Sequence, residues 1–524
     1  MRTFRAAPAA SAARWASWSL AGVLAGGAGL ATSYFLAMAM TLRDSPVLAV
    51  AELVIRLAPG ALVEKAIATV GHQDKPLLVI GVLVVTGLLF AWAGRLRSRS
   101  WWQPLLVYAG LAAVGSYAVA DQRGAGFVDQ VPVVVGLLTW AGLLEVLTAP
   151  LRAGAPSEEA TAPGVRAPDG SRRGFLLGGL LVAGVSVAVG LAGRVVGQGR
   201  RQVEQTRRLL RLADVSAPVV PRRATLDLDG LSPWETPADD FYLVHTAIVV
   251  PAIAPDDWTL RLHGMVDREL ELSYRDLLAR QHTEDWITLN CVSNPVGGPL
   301  IGNAWWSGIR LADLLREAGV HADADAVLQT SQDGWTCGTP LAALTDDRPA
   351  MLALAMNGRP LPIDHGFPVR TIVPGLYGYV SACKWVVDLE VTQFSRISAY
   401  WTQRGWSERG PVKLSSRIDV PREGAEVAAG TVRMGGVAWA QHVGIESVEV
   451  AVDGGGWQRA EISHPPTTDA WVQWVASARL DPGEHRVKVR CTDRHGLVQT
   501  GVERDVLPDG ATGWHTVGFT VTGS

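Results

Sequence analysis

The sequence predicts a multidomain protein: an N-terminal five-helix transmembrane anchor, a central α+β domain and a C-terminal all-β sandwich. Three observations predict it. Long charge-poor runs of Ala, Leu, Val and Gly dominate the chain up to about residue 193. Short β-rich runs with two helical patterns follow from Asp239, and turn-separated strand-like segments fill the chain after Tyr400. The expected boundaries are 1–193 for the anchor, 194–238 for a connecting helix and linker, 239–400 for the α+β domain and 401–524 for the sandwich. A length of 524 residues has room for about three such units.

A bilayer core about 30 Å thick takes roughly 20 apolar residues in helical form. Five stretches qualify: Trp15 to Met40, Pro76 to Gly94, Trp101 to Ala120, Val131 to Thr148 and Gly174 to Gly193, with Glu145 their single charge. The stretch 45–71 is also apolar, but Glu52, Arg56, Glu64 and Lys65 interrupt it around Pro59-Gly60, so it reads as interfacial or re-entrant. Ten basic residues flank the runs on the N-terminal side of the membrane against five on the other. The positive-inside rule then places the N-terminus in the cytoplasm, and five spans place everything after Gly193 on the extracytoplasmic side of a cell membrane.

Ser171-Arg172-Arg173-Gly174-Phe175-Leu176, directly ahead of the fifth run, resembles a twin-arginine export signal. That route suits a domain that acquires a large cofactor before it crosses the membrane. None of the eleven histidines lies inside the five runs, so the anchor offers no paired imidazoles for a haem b. Arg194 to Arg211 is basic and helix-compatible, and reads as a solvated connecting helix.

Net charge is -3, with no Lys/Arg block of the kind that tracks phosphate backbones, which excludes nucleic acid as the expected partner. The four cysteines, Cys291, Cys337, Cys383 and Cys491, form no CxxC pair, no CxxCH haem attachment and no zinc spacing. Cysteine chemistry must therefore be argued residue by residue.

In the soluble part, Ser273 to Gln281 and Leu311 to Ala318 carry helical patterns. Thr431 to Trp439, Ile445 to Val452, Trp457 to Ile462 and His485 to Val489 read as strands, separated by turns such as Asp453-Gly454 and Pro482-Gly483. Tryptophans at alternating positions mark this last region as a β-sandwich.

Four blocks between Asp239 and Trp385 carry the chemistry. The first is Thr288-Leu289-Asn290-Cys291-Val292-Ser293-Asn294, followed by Gly302-Asn303-Ala304-Trp305-Trp306-Ser307-Gly308. Next come Met356-Asn357-Gly358-Arg359-Pro360 and His365-Gly366-Phe367-Pro368-Val369-Arg370. The last is Val373-Pro374-Gly375 with Tyr377-Gly378-Tyr379-Val380-Ser381-Ala382-Cys383-Lys384-Trp385. In this order they resemble the sulfite oxidase family, over about residues 239 to 522.

The resemblance implies a sulfite-oxidase-type molybdopterin-binding domain, a Mo-molybdopterin cofactor and Cys291 as molybdenum ligand. A soft, anionic sulfur suits a metal already held by dithiolene sulfurs. It further implies that His365, Arg370, Ser381 and Lys384 hold the pterin and its phosphate, where cationic donors pair with a dianionic tail. Asp333, in the Asp333-Gly334 turn, matches a position near the cofactor. Asp240, Phe241, Tyr242 and His245 resemble the segment that opens the fold and lines the cofactor. The sandwich resembles the family's immunoglobulin-like dimerisation domain, leaving a homodimer open, and its acidic, Trp-rich surface offers a docking face.

Two departures bear on the substrate. His245 stands where the family's anion-binding Arg is expected, and Trp406 stands at the position of the family's active-site Tyr. Both are candidate catalytic positions, and both make the pocket less suited to sulfite. The expected function is two-electron or oxygen-atom transfer on a small sulfur-containing molecule, with sulfite, another sulfur oxyanion and a sulfoxide all open. A periplasmic-type sulfoxide reductase and a non-catalytic membrane-anchored binding protein are the alternatives. Electrons would pass to a separate carrier, a cytochrome or a quinone-linked protein, and membrane lipid would surround the anchor.

Overall fold

The computed structural model describes residues 8–40, 42, 45–59, 74–122, 125–153, 170–196, 199–216 and 218–523. They fall into two compact units, Met1–Gln202 with Ala247–Val250, and Val203–Thr246 with Pro251–Ser524.

The first unit is helical: α1 (Pro8–Ala39), α2 (Pro46–Leu57), α3 (Asp74–Arg97), α4 (Gln103–Ala120), α5 (Val131–Ala153) and α6 (Gly170–Val196). Within it Trp15–Ala39, Lys75–Arg97, Gln103–Ala120, Phe127–Arg152 and Gly174–Gly193 are long and apolar enough to cross a membrane. α1 is the central helix, packed on α3, α5 and α6. Glycine makes that possible: a Cβ at Gly22 would strike the Phe90 carbonyl, and one at Gly94 would strike that of Trp18, so the α1 and α3 backbones approach closely.

Glu145, the single charge in the apolar runs, is held by Arg97 (2.5 and 2.8 Å) and Arg152 (2.9 Å). Of the stretch 45–71, α2 is a helix of 12 residues, too short for the roughly 20 a span requires, and residues 60–71 lie outside the described residues. The twin-arginine motif falls in the first turns of α6, and the side chains of residues 171–173 also lie outside the described residues.

The basic segment forms α7 (Gly199–Leu209), which enters the second unit at Val203 and whose Glu204 accepts from Arg207 (2.7 Å) and Arg208 (2.8 Å). The α+β part runs β1 (Thr259–Gly264), β2 (Leu270–Ser273), α8 (Tyr274–Leu278), β3 (Thr283–Asn290), β4 (Ile301–Arg310), α9 (Leu311–Ala318), β5 (Ala326–Ser331) and β6 (Thr336–Pro340). It continues with α10 (Ala342–Thr345), β7 (Met351–Met356), β8 (Arg359–Pro360), β9 (Arg370–Ile372), α11 (Gly378–Ser381) and β10 (Val386–Thr392). One sheet has the order β2-β1-β10-β5-β6; the other is β3-β4-β7-β8, with β9 paired to β7. α9 buries Leu311, Leu314, Leu315 and Ala318, the i, i+3, i+4, i+7 face, and ends at Gly319 in the left-handed region (φ 71°).

The C-terminal strands are β11 (Ser415–Val420), β12 (Ala425–Ala428), β13 (Gly430–Trp439), β14 (Ile445–Val452), β15 (Gln458–Arg459), β16 (Glu461–Ile462), β17 (Val472–Leu480), β18 (Gly483–Asp493) and β19 (Thr516–Thr522). They form sheets β11-β13-β17-β16 and β12-β19-β18-β14-β15 around a shared core that includes Met434, Val448, Trp474, Val489 and Phe519. The expected strand Trp457 to Ile462 is divided. β15 pairs with β14 and β16 with β17, because buried Ala460, whose N–H donates to the Val448 carbonyl (2.8 Å), marks the crossing between sheets.

The tryptophans divide into two groups. Trp439, Trp471 and Trp474 are buried, at 3, 2 and 0 % exposure, and contribute nothing to a surface face, whereas Trp457 and Trp514 are half-buried and meet edge to face at 5.0 Å. Trp439 and Trp471 join Trp234 and Trp286 in a core between the β3-β4 sheet and the sandwich, where the indole N–H groups of Trp234 and Trp471 each donate to the other's carbonyl (3.0 Å). Such rings bury about 150–250 Å² each, which ties the sandwich firmly to the strand preceding Cys291.

Candidate active site

β3 and β4 pair through Asn290 and Ile301, and residues 291–300 close the connection as a loop that begins with Cys291. The loop is fastened at its base. Cys291 N donates to the Leu300 carbonyl (3.0 Å), Asn294 N to the Cys291 carbonyl (3.1 Å), and Leu300 N to Asn294 Oδ1 (2.9 Å). The Cys291 thiol lies 2.9 Å from the Ser293 hydroxyl. Burial raises its pKa, while Ser293 and the Lys384 ammonium act in the opposite direction. Cys337, Cys383 and Cys491 are fully buried free thiols, whereas Cys291 is partly exposed.

The sandwich braces this loop. Arg417 on β11 donates to the Gly298 carbonyl (3.0 Å), Ser232 Oγ (2.9 Å) and Asp419 (2.7 Å). The His515 ring packs on Gly297, leaving no room there for a Cβ. Thr288, three residues before the cysteine, takes a bond from Trp471 N (2.8 Å) and gives one to the Asp469 carbonyl (2.9 Å).

Opposite stands a cationic corner. Arg370 opens β9 and bridges Lys384 through the backbone, and both pack on Gly366. Gly366 has φ 110°, and a Cβ would sit 3.0 Å from Arg370 Cβ and 3.2 Å from Lys384 Cα. Arg370 donates from Nη1 to the His365 carbonyl (3.0 Å) and lies over Trp306 (5.2 Å), while its buried Nε has no hydrogen-bond partner. Burial pulls its pKa down to about 10. Lys384 donates to the Asp364 carbonyl (2.9 Å).

His365 Nε2 lies 2.9 Å from the Ala238 carbonyl. A carbonyl only accepts, so that nitrogen carries the proton and the buried, unpartnered Nδ1 presents a bare lone pair. Burial, with Lys384 and Arg370 adding repulsion, holds the His365 pKa down at about 3 and the ring neutral.

The other expected site residues are distributed unevenly. Half-buried Tyr242 has its phenol pKa raised by desolvation and by the nearby Cys291, and stacks on Phe241, which lies at a steep angle to both Trp306 and His365. His245 is half-buried, edge-on to Trp385 at 5.9 Å. Asp333 sits at the tip of the β5-β6 hairpin, its carboxylate taking Trp335 N (3.2 Å) and adding to the rise in the Cys383 pKa that burial and Cys337 cause first. Asp240 is exposed, and Ser381 Oγ turns back to the Tyr377 carbonyl (2.9 Å). Trp406 packs between Tyr379 and Trp401, with its indole N–H buried and unpartnered.

Three neighbours escaped the sequence reading. Asn290 is buried with Oδ1 unpartnered, immediately before Cys291. Tyr377 is near enough to Cys291 for the thiolate to help raise its pKa to about 12, after burial, and its hydroxyl packs 2.5 Å from where a Gly510 Cβ would be. Trp306 supplies the face beneath Arg370. All lie inside the quoted motifs, where charge, sulfur or a matching family position singled out other residues.

A buried unpartnered donor, two buried unpartnered acceptors and two cations around one thiol call for a ligand that offers an anion together with both donors and acceptors. A pterin with a phosphate tail fits that set.

Comparison with known proteins agrees. Residues 247–401 match the family described as oxidoreductase molybdopterin binding domain. The chain is 32% identical over 178 residues to an uncharacterized oxidoreductase, YuiH, of Bacillus subtilis, covering 34% of this chain and 86% of that protein. It is 30% identical over 298 residues to mitochondrial sulfite oxidase of Homo sapiens, covering 48% of this chain and 54% of that enzyme. The match thus spans about half the length of that relative. Among solved structures, the sulfane dehydrogenase SoxCD of Paracoccus pantotrophus is similar at TM-score 0.47 and 24% identity, covering 54% of this chain and 80% of that one. The protein is an oxidoreductase with a molybdopterin cofactor, and the chain belongs to the sulfite oxidase family.

Proposed function

We propose that the chain is a membrane-anchored, extracytoplasmic oxidoreductase that binds Mo-molybdopterin through Cys291 and acts on a small sulfur-containing substrate. The observation that carries this reading is the set of unpartnered buried atoms, His365 Nδ1, Arg370 Nε and Asn290 Oδ1, grouped in the segments around Cys291. When bound, the cofactor supplies a metal that exchanges an oxygen atom and two electrons with substrate.

The chain's own groups bind and orient. Cys291 gives the metal a thiolate, with Ser293 hydrogen-bonding the sulfur and Lys384 favouring its ionisation. Arg370 and Lys384 hold the phosphate tail, the planar guanidinium being suited to paired phosphate oxygens. Neutral His365 accepts a hydrogen bond at Nδ1. Tyr242, with its hydroxyl kept protonated by burial, is a donor beside the thiol. His245 and Trp406, in place of Arg and Tyr, shape the substrate side and lower its positive charge.

The relatives are oxidoreductases and sulfite oxidases by name, which favours oxidation over sulfoxide reduction. Family membership sets aside the non-catalytic reading. Electrons leave to a separate carrier. The five apolar helices hold the enzyme at the membrane, and the excess of basic residues on one set of flanks supports a cytoplasmic N-terminus.

The test is molybdenum and pterin analysis of full-length protein purified in detergent, followed by turnover with sulfite, thiosulfate and a sulfoxide. An artificial acceptor serves the oxidations and a reduced dye the sulfoxide. Near-stoichiometric metal with oxidation of a sulfur oxyanion is expected. Metal-loaded protein that reduces the sulfoxide and oxidises neither anion overturns the substrate assignment, and metal-free protein overturns the cofactor assignment.

A further inference from the structure

We infer that the end of the helical unit where α1 begins and α3 finishes is a binding site for the phosphate of an anionic phospholipid. The inference rests on the membrane reading of that unit. Trp15, Ala16, Trp92, Arg95, Leu96 and Arg99 line a half-open cleft of about 530 Å³. Two features point to an anion.

The first is charge without countercharge. Arg97, Arg152 and Arg56 are each consumed by a carboxylate: Arg97 and Arg152 by Glu145, Arg56 by Asp121 at 2.8 Å. Arg95 and Arg99 differ. Arg95 donates from Nε to Ser19 Oγ (2.7 Å), which fixes the side chain and leaves both Nη groups available. Arg99 lies over the Trp15 ring, 5.5 Å from its centroid. No carboxylate among the described residues pairs with either. Two oriented guanidinium groups at the mouth of one cleft suit the non-bridging oxygens of a phosphate.

The second is depth. Trp15 opens the first apolar run and Trp92 lies near the end of the second, and both rings are exposed, at 39 and 52 %. Indoles so placed sit at headgroup level, with arginines reaching outward past them. A lipid phosphate meets the arginines at that level while its acyl chains follow the apolar helix faces. An unpaired positive pair favours a lipid of net negative charge over a zwitterionic one, by about five-fold per arginine and about thirty-fold for both.

Native mass spectrometry of the full-length protein released from mild detergent reads this directly. Phosphatidylglycerol, phosphatidylcholine and inorganic phosphate are the probes. The variants are Arg95→Gln/Arg99→Gln, its conservative counterpart Arg95→Lys/Arg99→Lys, and Lys488→Gln as a remote charge control. Wild-type protein is expected to retain phosphatidylglycerol over phosphatidylcholine by about thirty-fold, with the Gln pair losing that preference, the Lys pair keeping part of it and the control keeping all of it.

Equal retention of the two lipids, or undiminished phosphatidylglycerol retention in the Gln pair, overturns the inference. Millimolar inorganic phosphate that binds wild type, not the Gln pair, with no lipid preference identifies a soluble-phosphate site and overturns the lipid assignment. If the Gln pair does not fold, the Lys pair decides, since it keeps charge and loses only the planar fork. Carbonate extraction of membranes reads the anchor separately, because protein released by carbonate contradicts the membrane reading itself.

Discussion

In the cofactor-free protein, Arg370→Met removes a buried cation along with the bonds that hold it. Burial drops the arginine from 12.5 to about 10, which at 1.36 kcal/mol per pH unit is about 3 kcal/mol against the charged side chain. Against this stand one charged hydrogen bond to the His365 carbonyl, at about 1.5–3 kcal/mol, and the contact with Trp306, at about 1 kcal/mol. The terms nearly cancel. Protein made without molybdopterin should therefore unfold within about 1 kcal/mol of wild type. With the cofactor available, loss of even one charged hydrogen bond to phosphate weakens retention by about 10- to 150-fold. The assay pairs denaturant unfolding of both cofactor-free proteins with molybdenum and pterin content after gel filtration. Full cofactor occupancy in the variant would refute the ligand role, and a loss of several kcal/mol in the cofactor-free protein would make Arg370 a structural residue instead.

Three further outcomes follow from the same geometry. Arg417→Met removes the donor to the Gly298 carbonyl and the cation paired with Asp419, which keeps only the Ser232 N–H, and should cost about 3–5 kcal/mol, with faster alkylation of Cys291 in cofactor-free protein; an unchanged alkylation rate would show that the sandwich does not brace the loop. Gly366→Ala forces a side chain to φ 110° between Arg370 and Lys384, so cofactor content should fall at a cost of about 1–3 kcal/mol in stability, read by metal analysis and melting. Asp285 has its pKa raised to about 6, first by burial and then by Asp469. Its folded pKa exceeds its unfolded one, so the folded state binds more protons between about pH 4 and 6 and stability falls as pH rises through that window. Asp285→Asn should remove that slope and stabilise the protein at pH 7 by about 1–2 kcal/mol, allowing for partial solvent screening; an unchanged slope contradicts this.

Much of the architecture is legible because periodicity is a local signal. The five apolar runs need only length and composition, and α9 needs only Leu311, Leu314, Leu315 and Ala318 on one face. Long-range pairing is harder to read. Nothing local says that Ala460 divides one apparent strand between two sheets, or that Trp439 and Trp471 face a neighbouring sheet instead of solvent. In the site, Cys291, His365, Arg370 and Lys384 stand out by chemistry within motif blocks. Asn290 and Tyr377 do not, because their relevance comes from a buried atom without a partner and from proximity across the fold. The brace by Arg417 and His515 is separated from the Cys291 loop by more than a hundred residues of sequence and became visible only in three dimensions.

The most direct test of the central claim is X-ray absorption at the molybdenum edge of wild type and Cys291→Ser, both loaded with cofactor. Wild type is predicted to show one more molybdenum–sulfur contact than the variant, with turnover lost in the variant while the pterin is retained through Arg370, Lys384 and His365. An unchanged sulfur count with intact turnover would remove Cys291 from the metal and with it the account of this site.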